Sequence, residues 1–146
     1  MKPNRTRIEE LQQFLQACPF NRFSGFEITS LDDEAGWLQM NMPVRREFQR
    51  LPDSDQVHGG PIAALIDTAG CLAVVMKIGV AVPTIAFSTN YLRRATGGHL
   101  LARAQIIRAG RSVATVDIEV TGGDGQLVAI GRAMYSTSRG SDHSTR

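Results

Sequence analysis

The residue in this 146-residue chain best suited to chemistry is Asp67. It stands in the run HGGPIAALIDTAGCLAVVMKIG, residues 58–79, which reads as a helix with apolar side chains on nearly every face. An ionised carboxylate without a partner would be costly in such surroundings. In an arbitrary helix, exposure at an interface or a hydrogen bond to a loop would be the ordinary explanation. Here Ile62, Leu65, Ile66, Leu72, Val74 and Met76 surround it in sequence and favour a functional carboxylate. Gly59 and Gly60 open the same helix. Lacking Cβ, they let a ligand approach the backbone, and the free N–H groups at a helix start carry partial positive charge. Together these suit polarisation of a carbonyl and stabilisation of an oxyanion, although a plain loop-to-helix turn would use the same pair. His58, beside them, is expected to shape the loop rather than transfer a proton.

Spacing restricts how these groups can cooperate. Gly59 and Asp67 are eight positions apart, roughly 10–12 Å along a helix. A reacting carbonyl must lie within about 3 Å of both its polarising donor and its attacking group. One copy of the helix can hardly supply both. Two copies related by a two-fold axis can, with Gly59 of one protomer facing Asp67 of the other, so the site is expected at a homodimer interface.

The elements that must position these residues follow from periodicity and turn signals. Residues 6–17 have helical spacing of Ile8, Leu11 and Leu15, with Thr6 and Glu9 placed for a capping box and Pro19 placed to end the helix. Residues 25–31 and 35–43 read as strands joined at Asp32-Asp33-Glu34, with Leu38, Met40 and Met42 alternating against Trp37, Gln39 and Asn41. Residues 44–57 form a long polar connection containing Pro52, of the kind that often carries function. In the central helix Pro61 suits the first helical position and Gly79 the C-terminal cap. Residues 84–93, 99–108, 112–121 and 126–138 follow as four strands in a meander, separated by Gly97-Gly98, Ala109-Gly110 and Gly122-Gly123-Asp124-Gly125. The class is α+β: a curved antiparallel sheet wrapped around one central helix, in a single domain spanning 1–146. Its N-terminal helix lies in 1–20 and its polar tail, 139–146, should fray.

Composition narrows the partners. Sixteen Lys and Arg against fourteen Asp and Glu give a net charge of +2, which does not point to nucleic acid. Cys18 and Cys71 suggest neither a disulfide framework nor a metal site, and His58, His99 and His143 have no second ligand at metal spacing, so no metal is expected. The apolar stretch at 61–82 is broken by Asp67, Thr68 and Lys77 and reads as a buried helix, not a membrane span. Charges at Lys2, Arg5, Arg7, Glu9 and Glu10 leave no signal-peptide pattern, and a cytoplasmic location is expected.

His58-Gly59-Gly60, an apolar helix and Asp67 nine residues after the histidine, followed by PTIAFSTNYLRRATGGHLLARAQIIRAGRSVATVDIEV and GQLVAIGRAMYS, resemble the hotdog-fold thioesterases of the PaaI-like type. The resemblance covers roughly residues 25–137. It implies a hotdog fold, homodimers that pair into homotetramers, and hydrolysis of acyl-CoA without a separate cofactor, since coenzyme A is part of the substrate. Asp67 falls on the family's catalytic acidic position, Gly59 on the backbone donor that polarises the carbonyl, and His58 on the loop-ordering histidine. Thr84 falls where a Ser or Thr helps position water. Pro52 departs from the pattern, standing where Asn or Gln is common; Gln49, three residues earlier, is the available substitute.

Thiolate leaves readily, so the chemistry needs carbonyl polarisation and a carboxylate, with Asp67 as base or as nucleophile. Coenzyme A phosphates call for cations, and Arg93, Arg94, Arg108 and Arg111 flank the strand ends, with Gly60 and Gln49 as further substrate contacts. Leu65, Ile66 and Phe48 are expected to line the acyl tunnel. Two other readings remain at this level: a non-catalytic acyl-CoA sensor, which Pro52 favours, and a hydroxyacyl-thioester dehydratase, which lacks the His–carboxylate pair it would need.

Overall fold

A helix this apolar needs cover, and in the computed structural model, which describes residues 4–138, the sheet supplies it along most of the helix while Ala63, Ala64, Asp67, Thr68 and Cys71 stay half-buried. The chain runs through α1 (Asn4–Gln16), α2 (Pro19–Ser24), β1 (Glu27–Asp32), β2 (Trp37–Pro43), a 3-10 turn at Arg46–Phe48, and α3 (Gly59–Ile78). It then forms β3 (Thr84–Tyr91), β4 (His99–Ala109), β5 (Val113–Gly122) and β6 (Leu127–Ser136). All six strands make one antiparallel sheet in the order β1-β2-β4-β5-β6-β3. The sheet curves around α3, which packs on β2 through β6. This is the hotdog arrangement that the resemblance implies.

The core follows the alternation in the sequence. Leu38, Met40 and Met42 of β2 point inward and are fully buried, as are Ala102 and Ala104 of β4, Val116 and Val120 of β5, and Ala133 and Tyr135 of β6. From α3, Leu65, Ile66, Ala69, Ala73 and Val74 meet them with no exposed surface. Burying such side chains contributes roughly 1.5–3 kcal/mol each for the larger ones. The helix is long and apolar enough to cross a bilayer, yet its length is spent on the inside of this sheet. At two points the helix and sheet approach so closely that only glycine fits. A Cβ at Gly70 would run into the Tyr135 hydroxyl, and one at Gly131 would lie 2.6 Å from Ile66 Cγ2 and 2.9 Å from the Ser88 carbonyl.

Several local expectations change. Helix α1 already includes Asn4, so Thr6 lies inside it and is not its cap; Glu9 instead pairs with Arg5 one turn earlier at 3.1 Å. Pro19 does not merely end a helix but opens α2, where its missing N–H is harmless and its φ is pre-set. Pro61 is the third residue of α3 rather than the first, because His58 caps the helix and Gly59 begins it; a first-turn amide has no intrahelical acceptor in any case. Gly79 closes the helix in the left-handed conformation, at φ 79°, with its N–H on the Val75 carbonyl. The four-strand meander is corrected most. Strands β4, β5 and β6 are consecutive neighbours, but β3 lies beside β6 at the sheet edge, and β4 pairs with β2. Segment 92–98 carries the chain from one side of the sheet to the other, so Gly97-Gly98 belongs to a crossover and not to a hairpin. The tail at 139–146, with His143, lies outside the described residues.

Candidate active site

The first turn of α3 is built around one peptide unit. His58 adopts extended backbone at φ −64° and ψ 146°, which ends the preceding loop and turns its ring back over the helix start. Its Nδ1 accepts the Gly60 N–H at 2.9 Å. In the neutral ring this places the proton on Nε2. The His58 N–H itself donates to the Phe48 carbonyl at 2.8 Å, and Val57 N–H to the Ala95 carbonyl at 2.9 Å, so the polar loop is tied to the helix start. A bridge between Gln49 and Val57 completes the tie. Among the described residues the Gly59 N–H has no acceptor, as expected of a first helical residue.

The last residue of β3 meets the same turn. Tyr91 donates its hydroxyl proton to the Gly59 carbonyl at 2.7 Å. A Cβ at Gly59 would lie 3.0 Å from that hydroxyl and from the ring carbon bearing it, a tight contact that would press on the ring. Around this turn opens a cavity of about 410 Å³, lined by Arg50, His58, Gly59, Tyr91, Arg93 and Arg94 among others. Arg93 is also bonded to Gln126 at the β5–β6 turn. Three guanidinium groups and a helix N-terminus make this an anion-attracting mouth.

Two turns along α3, Asp67 is half-buried. Its Oδ1 accepts the Thr84 hydroxyl proton at 2.8 Å. Its main-chain carbonyl accepts the Tyr135 hydroxyl at 2.7 Å, which fixes the helix backbone under the carboxylate. Burial, and then the neighbouring Asp67 charge, push the Tyr135 phenol far above its ordinary range. The same two causes, in the same order, push the Cys71 thiol up to about 11. Cys71 is therefore a neutral thiol at pH 7 and no rival nucleophile. Strand β3 thus touches both groups: Thr84 at its start holds Asp67, and Tyr91 at its end holds Gly59.

The other residues singled out by sequence divide between places. His58, Gly59, Arg93 and Arg94 line one cavity; Gly60 lies beside them as the donor to His58. Gln49 faces a separate depression of about 470 Å³ with Arg46, Glu47 and Pro52. Arg111 is exposed in the β4–β5 turn and lies at the other end of the sheet, since Ala114 pairs with Tyr135 and Tyr135 with Thr84. Within one protomer it accompanies Asp67, not Gly59. Leu65 and Ile66 are fully buried and Phe48 nearly so. They belong to the core rather than to an open acyl channel, and Ile62 is the α3 side chain that reaches the cavity. Sequence reading missed Tyr91 and Arg50. An aromatic at the end of a strand carries no signal of its own, and Arg50 is one charge among several in a polar loop.

The sequence model of the thioesterase superfamily matches residues 56–129, half of the chain, taking in the whole of α3, β3, β4 and β5. A relative from Halobacterium salinarum, named as an esterase, is 32% identical over 140 residues, covering 88% of this chain and 91% of its own. A crystal structure of a thioesterase-superfamily protein is 37% identical with a TM-score of 0.83, over 90% of this chain and 98% of that one. The Escherichia coli PaaI protein shares the fold, with a TM-score of 0.78 at 24% identity over 91% of this chain and 94% of its own. With the family model matched over half of the chain and these relatives covered nearly end to end, the chain is a member of the thioesterase superfamily, a PaaI-like thioester hydrolase with a small-molecule thioester substrate.

Proposed function

We propose that the protein hydrolyses acyl-CoA thioesters to the free acid and coenzyme A, in sites shared between two protomers, with no cofactor. The observation that carries this reading is the double role of β3. It bonds Asp67 at one end and Gly59 at the other, and it is an unpaired sheet edge. Pairing β3 with a second β3 antiparallel across a two-fold axis sets the Asp67 end of one protomer against the Gly59 end of its partner. The edge invites this: Ile85 and Phe87 are 53% and 41% exposed on it, and a long apolar edge is otherwise a liability.

In this arrangement the Gly59 N–H polarises the thioester carbonyl, and the positive end of α3 steadies the oxyanion. Thr84 orients the Asp67 carboxylate. A water oxygen that gives its proton to Asp67, or Asp67 itself, bonds to the carbonyl carbon; the C–S bond then breaks and the thiolate takes a proton, and in the second case water hydrolyses the resulting anhydride to release the acid and regenerate Asp67. The arginines at the cavity mouth receive the phosphates, and Arg111 joins them from the other protomer's end of the sheet. His58 orders the loop. The resemblance further supports pairing of dimers into a tetramer.

The test is thiol release from a panel of acetyl-, hexanoyl-, dodecanoyl- and phenylacetyl-CoA. The aromatic member is included because the E. coli PaaI protein comes from the phenylacetic acid degradation operon. Turnover by the native chain and a loss of about a hundredfold or more in Asp67→Asn support hydrolysis. Tight acyl-CoA binding without turnover would favour a sensor, the reading suggested by Pro52 in place of a side-chain donor. Single turnover in H₂¹⁸O tests the nucleophilic role of Asp67. Unlabelled acid with label left in Asp67 marks an anhydride opened at Cγ; labelled acid fits a base, and failure of hydroxylamine to trap an acylated Asp67 then excludes an anhydride opened at the acyl carbon.

A further inference from the structure

We infer that Tyr91 is a positioning residue for the Gly59 amide, a role that rests on the hydrolytic reading above. The peptide unit joining Gly59 to Gly60 is held at both ends. Its carbonyl accepts from the Tyr91 hydroxyl at 2.7 Å, and its N–H donates to His58 Nδ1 at 2.9 Å. A peptide unit is planar and rigid. Two bonds on its opposite edges therefore fix its tilt, and with it ψ of Gly59. The polarising N–H belongs to the preceding peptide, one Cα away. Fixing the following plane removes one of the two rotations by which that N–H could swing off its target.

Glycine makes the clamp necessary as well as possible. Gly59 and Gly60 in succession have the widest backbone freedom of any dipeptide, and a donor that wanders is a poor oxyanion site. The Tyr91 ring packs closely onto Gly59, where a Cβ would lie 3.0 Å from its hydroxyl. The same ring lines the cavity. Because Tyr91 and Thr84 belong to one strand, β3 sets the attitude of the polarising amide and of the carboxylate together. A merely packed Tyr91 would need its ring but not its hydroxyl.

Tyr91→Phe keeps the ring and removes the clamp. Tyr91 is 53% exposed, so the change leaves the core intact. On whichever acyl-CoA of the panel the native enzyme turns over fastest, kcat should fall about tenfold while KM stays within about twofold. The arginines that hold the substrate are untouched. Amide hydrogen exchange should quicken at Gly60 and stay unchanged in the buried middle of α3, at Ala69–Val75. A variant with kcat within about twofold of an active native enzyme, or with unaltered Gly60 exchange, overturns the role of Tyr91 and leaves the hydrolytic reading standing. A native enzyme inactive on every member of the panel brings down both.

Discussion

Asp67 is held by one short hydrogen bond from Thr84 and by the backbone anchor that Tyr135 supplies. The first can be removed with little change of volume. Thr84→Val should lower kcat about tenfold, and Thr84→Ser should restore most of it, because only the hydroxyl orients the carboxylate. Steady-state kinetics on a turned-over acyl-CoA decide this, and equal rates for Val and Ser would remove Thr84 from the site. Cys71 provides a second prediction. Its folded thiol is raised from 9.0 to about 11 by burial and by Asp67, so the folded state holds the proton more tightly than the unfolded one. The stability this contributes is complete below pH 9 and is lost as pH rises towards 11. Tyr135, raised in the same direction, adds to the loss. Melting temperature should therefore fall across that window, and less steeply in Cys71→Ala. In the native protein a thiol reagent should titrate exposed Cys18 quickly and half-buried Cys71, held as the neutral thiol, more slowly.

Between elements, the contact of α3 with β6 sets the geometry of the carboxylate. The helix approaches the sheet closely enough that Gly131 faces Ile66 and the Ser88 carbonyl, while Gly70 faces Tyr135. Gly131→Ala would drive a methyl group against a backbone oxygen that cannot move aside. It should cost about 1–3 kcal/mol, measured by urea unfolding, with a larger relative fall in kcat as α3 tilts away from β3. Much of this level is legible in the sequence. The apolar faces of residues 61–76, broken only at Asp67 and Thr68, demand a wrapping sheet, and the alternation at 37–42 says which side of β2 is inside. The position of β3 is not legible. Its residues have the composition of any strand, and nothing local reveals that β4 crosses over to β2 and leaves β3 at the edge. Local turn chemistry misleads for the same reason: Gly97-Gly98 looks like a hairpin turn but serves a crossover.

For the molecule as a whole, the proposed shared site ties both assembly and activity to the exposed β3 edge. Phe87→Lys places a charge in the middle of that edge without touching Asp67, Thr84 or Gly59. Sedimentation should show native protein as a dimer or a multiple of it and the variant shifted to monomer, with turnover lower by about a hundredfold or more. A monomeric variant with native turnover would place the whole reaction within one chain and end the shared-site reading. The division of the arginines belongs to the same scale. Arg93 and Arg94 lie at the Gly59 end of a protomer and Arg111 at the Asp67 end, an arrangement that serves one substrate only when two chains meet.

Sequence alone determined the helix, its apolar faces, the carboxylate interrupting them and the glycine pair at its start, because each is a property of neighbours along the chain. The family resemblance rested on the same run. Only the tertiary structure decided that a single strand bonds both Asp67 and Gly59, that a tyrosine hydroxyl meets the Gly59 carbonyl, and that one arginine parts company with the others. Those are contacts between residues 17 to 32 positions apart and registers between strands. They depend on how the sheet is ordered, which no local pattern of side chains records.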